Sequence, residues 1–256
     1  MCLILVAWKA HPRFPLVVAA NRDEFFARPT ATAGFWPETP AMLAGRDLQA
    51  GGTWMGYTRN GRFAALTNFR DPAQMRKDAE SRGGLVAGFL AGGEFPADYI
   101  ARIAPGAARY NGFNLLVADR DDLAWYSNVG GERRMLAPGI YGVSNHLLDT
   151  PWPKLQAAKS ALARALDALP EDDALFDLLR DDGIHPDEAL PRTGVSLEWE
   201  RVLSSAFVKA PGYGTRSSTV LLADGNGRVV FDEQTWLPGG APGGRMRFRF
   251  SLRPAP

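Results

Sequence analysis

The chain has 256 residues, 46% of them hydrophobic and 22% charged, with a formal net charge of +1. That is the make-up of a soluble globular protein. The near-neutral balance gives no reason to expect nucleic acid or an anionic membrane as a partner. A single cysteine cannot form an internal disulfide, so an oxidising compartment is not implied. Three histidines and one cysteine show no metal-ligand spacing, and neither a metal nor another cofactor is implied.

Residues 2–8 are an apolar run rich in Leu, Ile and Val, and residues 16–20 are a second. The Pro-containing segment between them predicts an antiparallel hairpin. Apolar character on both faces of each strand predicts a sheet covered on both sides. The first apolar run follows Cys2 rather than preceding it, lacks a basic flank and is broken by Lys9. It is too short for a membrane span and is not shaped like a signal peptide. A cytoplasmic protein without membrane insertion is the expectation.

Residues 21–30 read as a polar cluster at a strand end. Short strands are predicted at 41–45, 53–57 and 63–69, with Asn60-Gly61 as a hairpin turn. Residues 81–91 and 96–103 have helical spacing of Leu85, Phe89 and Leu90, and of Tyr99, Ile100 and Ile103. Strands return at 113–118, 123–127 and 140–143. The Ala- and Leu-rich segment 152–169 predicts a helix with Pro153 in its first turn, followed by another helix at 172–179. Residues 213–222 and the run after the Gly-Asn-Gly turn form a strand pair. Residues 238–244 read as a loop or a disordered stretch, and 246–252 as an edge strand of alternating apolar and basic residues. No repeat or long linker divides the chain. One domain over 1–256 is expected, with 238–256 peripheral. The order of elements predicts an α+β fold of mostly antiparallel sheets with helices outside them.

Cys2 directly follows Met1. Its small side chain suits removal of the initiator, which would leave a thiol and a free α-amine on one Cα. A free thiol has a pKa of about 8.5 and an α-amine of about 7.7–8.0. The amine can therefore accept the thiol proton near neutrality, the arrangement of a self-activated nucleophile. Thiol attack on a carbonyl also needs oxyanion donors and orienting groups.

Four polar segments at strand ends offer these. Asn21-Arg22-Asp23-Glu24 would share an end of the hairpin with Cys2; Asp23 could orient the amine and Arg22 could lower the thiol pKa. Asn68, ending a strand, could donate to an oxyanion, or could sit in an Asx turn. Asn145 offers the same amide, with Ser144 and Asn145 open to a capping role as well, and His146 beside it is a candidate base. Arg216 could be a fixed cation near the site, or an edge Arg with a solvated head. Asn21, Trp54 and His146 are candidate substrate contacts; Trp36 and Trp152 could also line a pocket, although core packing explains Trp equally well.

The segments Met1-Cys2, 20–25 (ANRDEF), 51–56 (GGTWMG), 66–70 (LTNFR), 141–145 (YGVSN) and 213–222 (YGTRSSTVLL) resemble the NRDE family, whose eukaryotic members are called transport and Golgi organisation proteins. The resemblance extends from residue 1 to about residue 237. It implies a four-layer αββα sandwich similar to N-terminal nucleophile hydrolases. It also implies Cys2 as nucleophile, Arg22 and Asp23 beside it, Asn145 and then Asn68 at the oxyanion, and Arg216 as a late arginine of the site. Neighbours on a strand point to opposite faces, so Arg22 and Asp23 both reach Cys2 only if the chain has turned there. Two functions are open on this resemblance, beside a degenerate hydrolase fold with a purely structural or interaction role. One is an amidohydrolase cleaving a linear C–N bond of a small amide or a related acyl compound. The other is a non-catalytic trafficking protein for haem or an acylated lipid, with Cys2, His11 or His146 as an iron ligand.

Overall fold

The computed structural model describes residues 2–254; Met1, Ala255, Pro256 and the side chain of Cys2 lie outside the described residues. Among the described residues the strands form two seven-stranded sheets. The first sheet contains β1 (Cys2–Trp8) and β2 (Leu16–Phe25). The second is built from β3 (Thr30–Trp36), β4 (Thr39–Asp47), β5 (Met55–Thr58), β6 (Phe63–Asn68), β7 (Phe113–Ala118), β8 (Leu123–Ser127) and β9 (Arg133–Met135), in chain order. The first is completed by β10 (Gly139–Val143), β11 (Lys209–Ala210), β12 (Tyr213–Ala223), β13 (Arg228–Trp236) and β14 (Pro242–Ser251). Its order is β10-β1-β2-β12-β13-β14, with β11 attached to β12, and all its ladders are antiparallel.

Strand alternation explains the layers. In β1, Ile4, Val6 and Trp8 join a core shared with Leu43, Phe63 and Leu116 of the other sheet. The intervening Leu3, Leu5 and Ala7 pack against Leu155, Leu162 and Leu175. Those belong to α3 (Pro153–Ala165) and α4 (Asp173–Leu179). The second sheet does the same: Ala64, Leu66 and Leu115 meet Val86, Phe89 and Ile100 of α1 (Gly83–Ala91) and α2 (Pro96–Ile103). The result is the expected αββα order. A strand buried on both faces contributes about 1.5–3 kcal/mol per fully buried large apolar side chain, which is why β1 and β2 carry so few polar residues before position 21.

Three sequence expectations are corrected. The polar run after residue 20 is not a strand end: β1 pairs with β2 as far as Arg22, which faces Cys2, and β12 carries the ladder on to Phe25, with Arg22 opposite Ser217 and Phe25 opposite Tyr213. Residues 238–244 are ordered, as a single turn over Pro238–Gly240 followed by the start of β14. A short helix, α5 (Leu197–Val202), occupies a stretch given no element from the sequence; Ser196 caps it by accepting the Trp199 N–H. The peripheral strand β14 is an edge, as expected.

Candidate active site

The ladder between β1 and β2 sets the site. It places the backbone of Cys2 opposite Arg22 and Leu3 opposite Asn21. On the other side of β1, Ile4 pairs with Val143, so Ser144 and Asn145 leave β10 alongside the first residues of β1. Positions 2, 22 and 145 therefore meet at one rim of the sandwich. The thiol of Cys2 lies outside the described residues.

Arg22 and Asp23 diverge, as an unbroken strand requires. Arg22 is buried on the face toward the second sheet, its guanidinium carbon 4.2 Å from the centre of the Trp54 ring. Its Nη2 is 3.9 Å from Glu24 Oε2. Among the described residues its buried Nη1 makes no hydrogen bond. Asp23 is on the face toward the helices. It accepts a 2.7 Å bond from Thr215 Oγ1, and burial pushes its carboxyl above the usual carboxylate range. The Lys154 charge, the Thr215 bond and Arg70 pull the other way. Lys154 is itself buried and donates to the Leu203 carbonyl at 2.8 Å.

Asn145 is held from both ends of its amide. Nδ2 donates to the Asn68 carbonyl at 3.0 Å, and Oδ1 accepts from Arg70 Nη2 at 3.2 Å. One bond uses one of its two N–H groups. Asn68 is among the residues lining a cavity of about 800 Å³ at the rim. Phe25, Phe69, Tyr110, Trp199 and Tyr213 give this cavity aromatic walls, with Arg70 and Arg82 among its charged residues. Edge-to-face contacts of Tyr213 with Phe25 and with Trp199 fix one wall.

Of the remaining candidates, Arg216 and Trp54 lie near Arg22, and His146 adjoins Asn145 and the cavity residue Phe69. Arg216 is the extra residue of a bulge between Thr215 and Ser217, and it donates to the Phe25 and Arg28 carbonyls at 2.9 and 3.0 Å. It thus fastens the chain segment after β2; burial and the nearby Arg22 charge disfavour its ionised form. Asn21 faces the helices, donating to the Leu179 and Ala206 carbonyls at 2.7 and 2.8 Å and accepting from Ser218 Oγ at 2.6 Å. Its amide is spent on tying β2 to α4. Trp54 serves as a platform under Arg22. His146 lies between Phe69 and Trp152 with its ring tilted against both, its Nδ1 is 2.9 Å from Thr150 Oγ1, and burial lowers its pKa. His11 accepts from the Arg13 and Phe14 N–H groups in the β1–β2 turn, at the far end of β1 and about 20 Å from Cys2 at about 3.3 Å per residue. No cluster of metal-binding side chains occurs among the described residues.

Two participants escaped the sequence reading. Arg70 ends the 66–70 motif, where no local pattern marks a role for it. Glu200, buried in α5, pairs with Arg70 at 3.0 Å and accepts from the Thr193 N–H and hydroxyl, each at 2.7 Å. Ser196 just ahead of the alternating LEWERV stretch was the available signal, as a helix-start residue.

The site and layers define a class: a four-layer αββα protein with a polar rim around an N-terminal strand and an aromatic cavity beside it. The family model described as Transport and Golgi organisation 2 matches residues 1–238, and the chain belongs to that family. It is 38% identical to the Transport and Golgi organization protein 2 homolog of Bos taurus and 37% identical to that of Homo sapiens, each over 93% of this chain and 94% of the relative. The Drosophila melanogaster protein is 28% identical, with 92% of each chain covered. Among solved structures, the C2A mutant of conjugated bile acid hydrolase from Clostridium perfringens superposes with a TM-score of 0.46 at 9% identity, covering 98% of this chain and 92% of that one. The Caenorhabditis elegans N-acylethanolamine-hydrolyzing acid amidase ortholog superposes with a TM-score of 0.40 at 10% identity, covering 86% and 92%. These two likenesses are too distant to transfer chemistry. No helix among the described residues is long and apolar enough to cross a membrane.

Proposed function

We propose that the protein is a cysteine hydrolase of a small amide or acyl compound, acting through a thioester at Cys2 after Met1 is removed. The observation that carries this is the register: Cys2 faces Arg22 in the ladder, at the rim where Asn145 is clamped beside a large cavity. The α-amine takes the thiol proton and Sγ bonds to the carbonyl carbon as the C=O electron pair moves to oxygen. Asn145, through its remaining N–H, and Asn68 hold that oxyanion. Collapse breaks the C–N bond, and the leaving amine takes the proton from the α-ammonium. Water then cleaves the thioester, releasing the carboxylic acid and restoring the thiol. Arg22, whose Nη1 has no hydrogen-bond partner among the described residues, favours the thiolate by its charge.

Intact mass of the purified protein tests the first requirement: retained Met1 removes the α-amine from Cys2 and ends this mechanism. Incubation with p-nitrophenyl acetate tests the second. An acetyl adduct at Cys2 that turns over, and is absent in Cys2→Ala, supports the hydrolase.

The cavity and the family's description support a second reading, a carrier of an acylated or other apolar ligand that performs no chemistry. Cys2→Ala would then leave ligand binding intact. For haem in particular, a titration of the purified protein without a Soret shift rejects the carrier. His11 lies in the β1–β2 turn, about 20 Å from Cys2 at about 3.3 Å per residue, whereas His146 adjoins Asn145 at the rim, with its Nδ1 2.9 Å from Thr150 Oγ1.

A further inference from the structure

We propose that Arg70 is a positioning residue for Asn145, the oxyanion donor of the hydrolase reading on which this inference rests. Beyond β6 the chain turns at Phe69, whose N–H donates to the Gly112 carbonyl at 2.9 Å and whose ring lies 4.8 Å from that of His146. The turn brings Arg70 to Asn145 twice. The Arg70 backbone N–H donates to the Asn145 carbonyl at 2.8 Å, and Nη2 donates to Asn145 Oδ1 at 3.2 Å.

These contacts have two consequences for the amide. A cation on Oδ1 excludes the flipped amide, because a flip would set NH₂ against guanidinium. The N–H side is thereby turned to the Asn68 carbonyl and the rim. The same charge draws electron density toward Oδ1 and strengthens Nδ2 as a donor. Arg70 is in turn fixed by Glu200 at 3.0 Å and lies 5.2 Å from the centre of the Trp152 ring. Both members of the ion pair are 4% exposed. Glu200 is carried by α5, which also supplies Trp199 to the cavity wall. The same contacts allow a bland alternative, in which Arg70 only fastens α5 to the rim.

Two reagents separate the alternatives at Cys2. Acetylation by p-nitrophenyl acetate passes through an oxyanion. Alkylation by iodoacetamide displaces iodide from a tetrahedral carbon and forms none. Mass spectrometry follows both adducts in wild type, Arg70→Lys, and the double variant Arg70→Met with Glu200→Met, which removes the buried pair without stranding one charge. Loss of an oxyanion donor costs about 10²–10³ in rate; misplacing one is expected to slow acetylation by about 10-fold or more while alkylation stays within about twofold. In an Asn145→Ala background, Arg70→Lys should have no further effect. A folded variant with an unchanged acetylation-to-alkylation ratio overturns the inference, as does an equal fall in both rates. Should the double variant not fold, Arg70→Lys decides. If wild type is alkylated but never acetylated, the hydrolase reading falls and takes this inference with it. If wild type is acetylated and the variants match it, only the inference falls.

Discussion

Arg22 lies over the indole of Trp54, with 4.2 Å between guanidinium carbon and ring centre. Exclusion of water strengthens the attraction between such a buried cation and the ring face. The indole needs the space that Gly45 leaves: a Cβ there would lie 2.3 Å from Trp54 Cη2. Gly45→Ala is therefore expected to push the indole aside and misplace Arg22. The expected cost is about 1–3 kcal/mol of overpacking, measured by urea denaturation. It should be accompanied by slower alkylation of Cys2 if Arg22 favours the thiolate. Wild-type stability in Gly45→Ala would show that the ring is free to move.

Asn21 gives a contrasting expectation. Both Nδ2 bonds go to main-chain carbonyls, so Asn21→Asp would set an oxygen against the Leu179 and Ala206 carbonyls. Two buried acceptors would lose their donor, at about 1–3 kcal/mol each. The variant should melt well below wild type. Stability equal to wild type with loss of ligand binding alone would instead support a substrate contact at this residue.

The layers were legible because the strand signal and the core coincide. Residues 2–8 and 16–20 are apolar on both faces and do become the strands covered on both sides. β3 was missed for a physical reason: Thr30, Ala31, Thr32, Ala33 and Gly34 are small, and the strand is an edge with two register shifts against β4, so neither bulk nor alternation marks it. The site was legible only in part. Positions 2 and 145 follow from strand ends and position 22 from the hairpin register, but the faces of Arg22 and Asp23 depended on where β2 stops. That is decided by the ladder to β12, which residues 21–25 do not encode locally. The Arg70–Glu200 pair joins residues 130 positions apart, beyond the reach of any local pattern.

Glu233 supplies a pH dependence. It is buried between the sheets, accepts the Ala33 N–H at 2.7 Å, and burial raises its pKa above the ordinary 4.5. A carboxyl with a raised folded pKa takes up its proton in the native state first. Its charged form thus opposes folding at neutral pH, and that penalty is relieved as pH falls through the folded pKa toward 4.5. Glu233→Gln retains an oxygen for the Ala33 N–H. The variant should be at least as stable as wild type at pH 7, with the difference shrinking toward pH 4.5 by at most about 1.4 kcal/mol per pH unit. Chemical denaturation of both proteins across that range checks it. A growing advantage for the variant on acidification would contradict the assignment.

The edge strand β14 is held by a charge arrangement whose members are not equivalent. Asp232 is fully buried and accepts from Arg245 Nε and Nη2, each at 2.9 Å, and pairs with Arg247 Nη1 at 3.0 Å. Arg247 also reaches Asp172 at 2.9 Å, linking β14 to the residue ahead of α4. The two arginines are 42% and 32% exposed, so either guanidinium can turn to water if its partner is lost. Arg245→Met leaves Asp232 paired with Arg247 and should cost under about 1 kcal/mol, as expected for a partly exposed pair. Arg247→Met should cost somewhat more, because Asp172 loses the same partner. The double variant strands a buried carboxylate and is expected to lose about 3–5 kcal/mol, more than the two single losses together. A double-mutant cycle from urea melts measures the excess. Strict additivity would mean that water reaches Asp232 once the arginines are gone, and that β14 can leave the sheet edge while the rest of the sandwich stays folded.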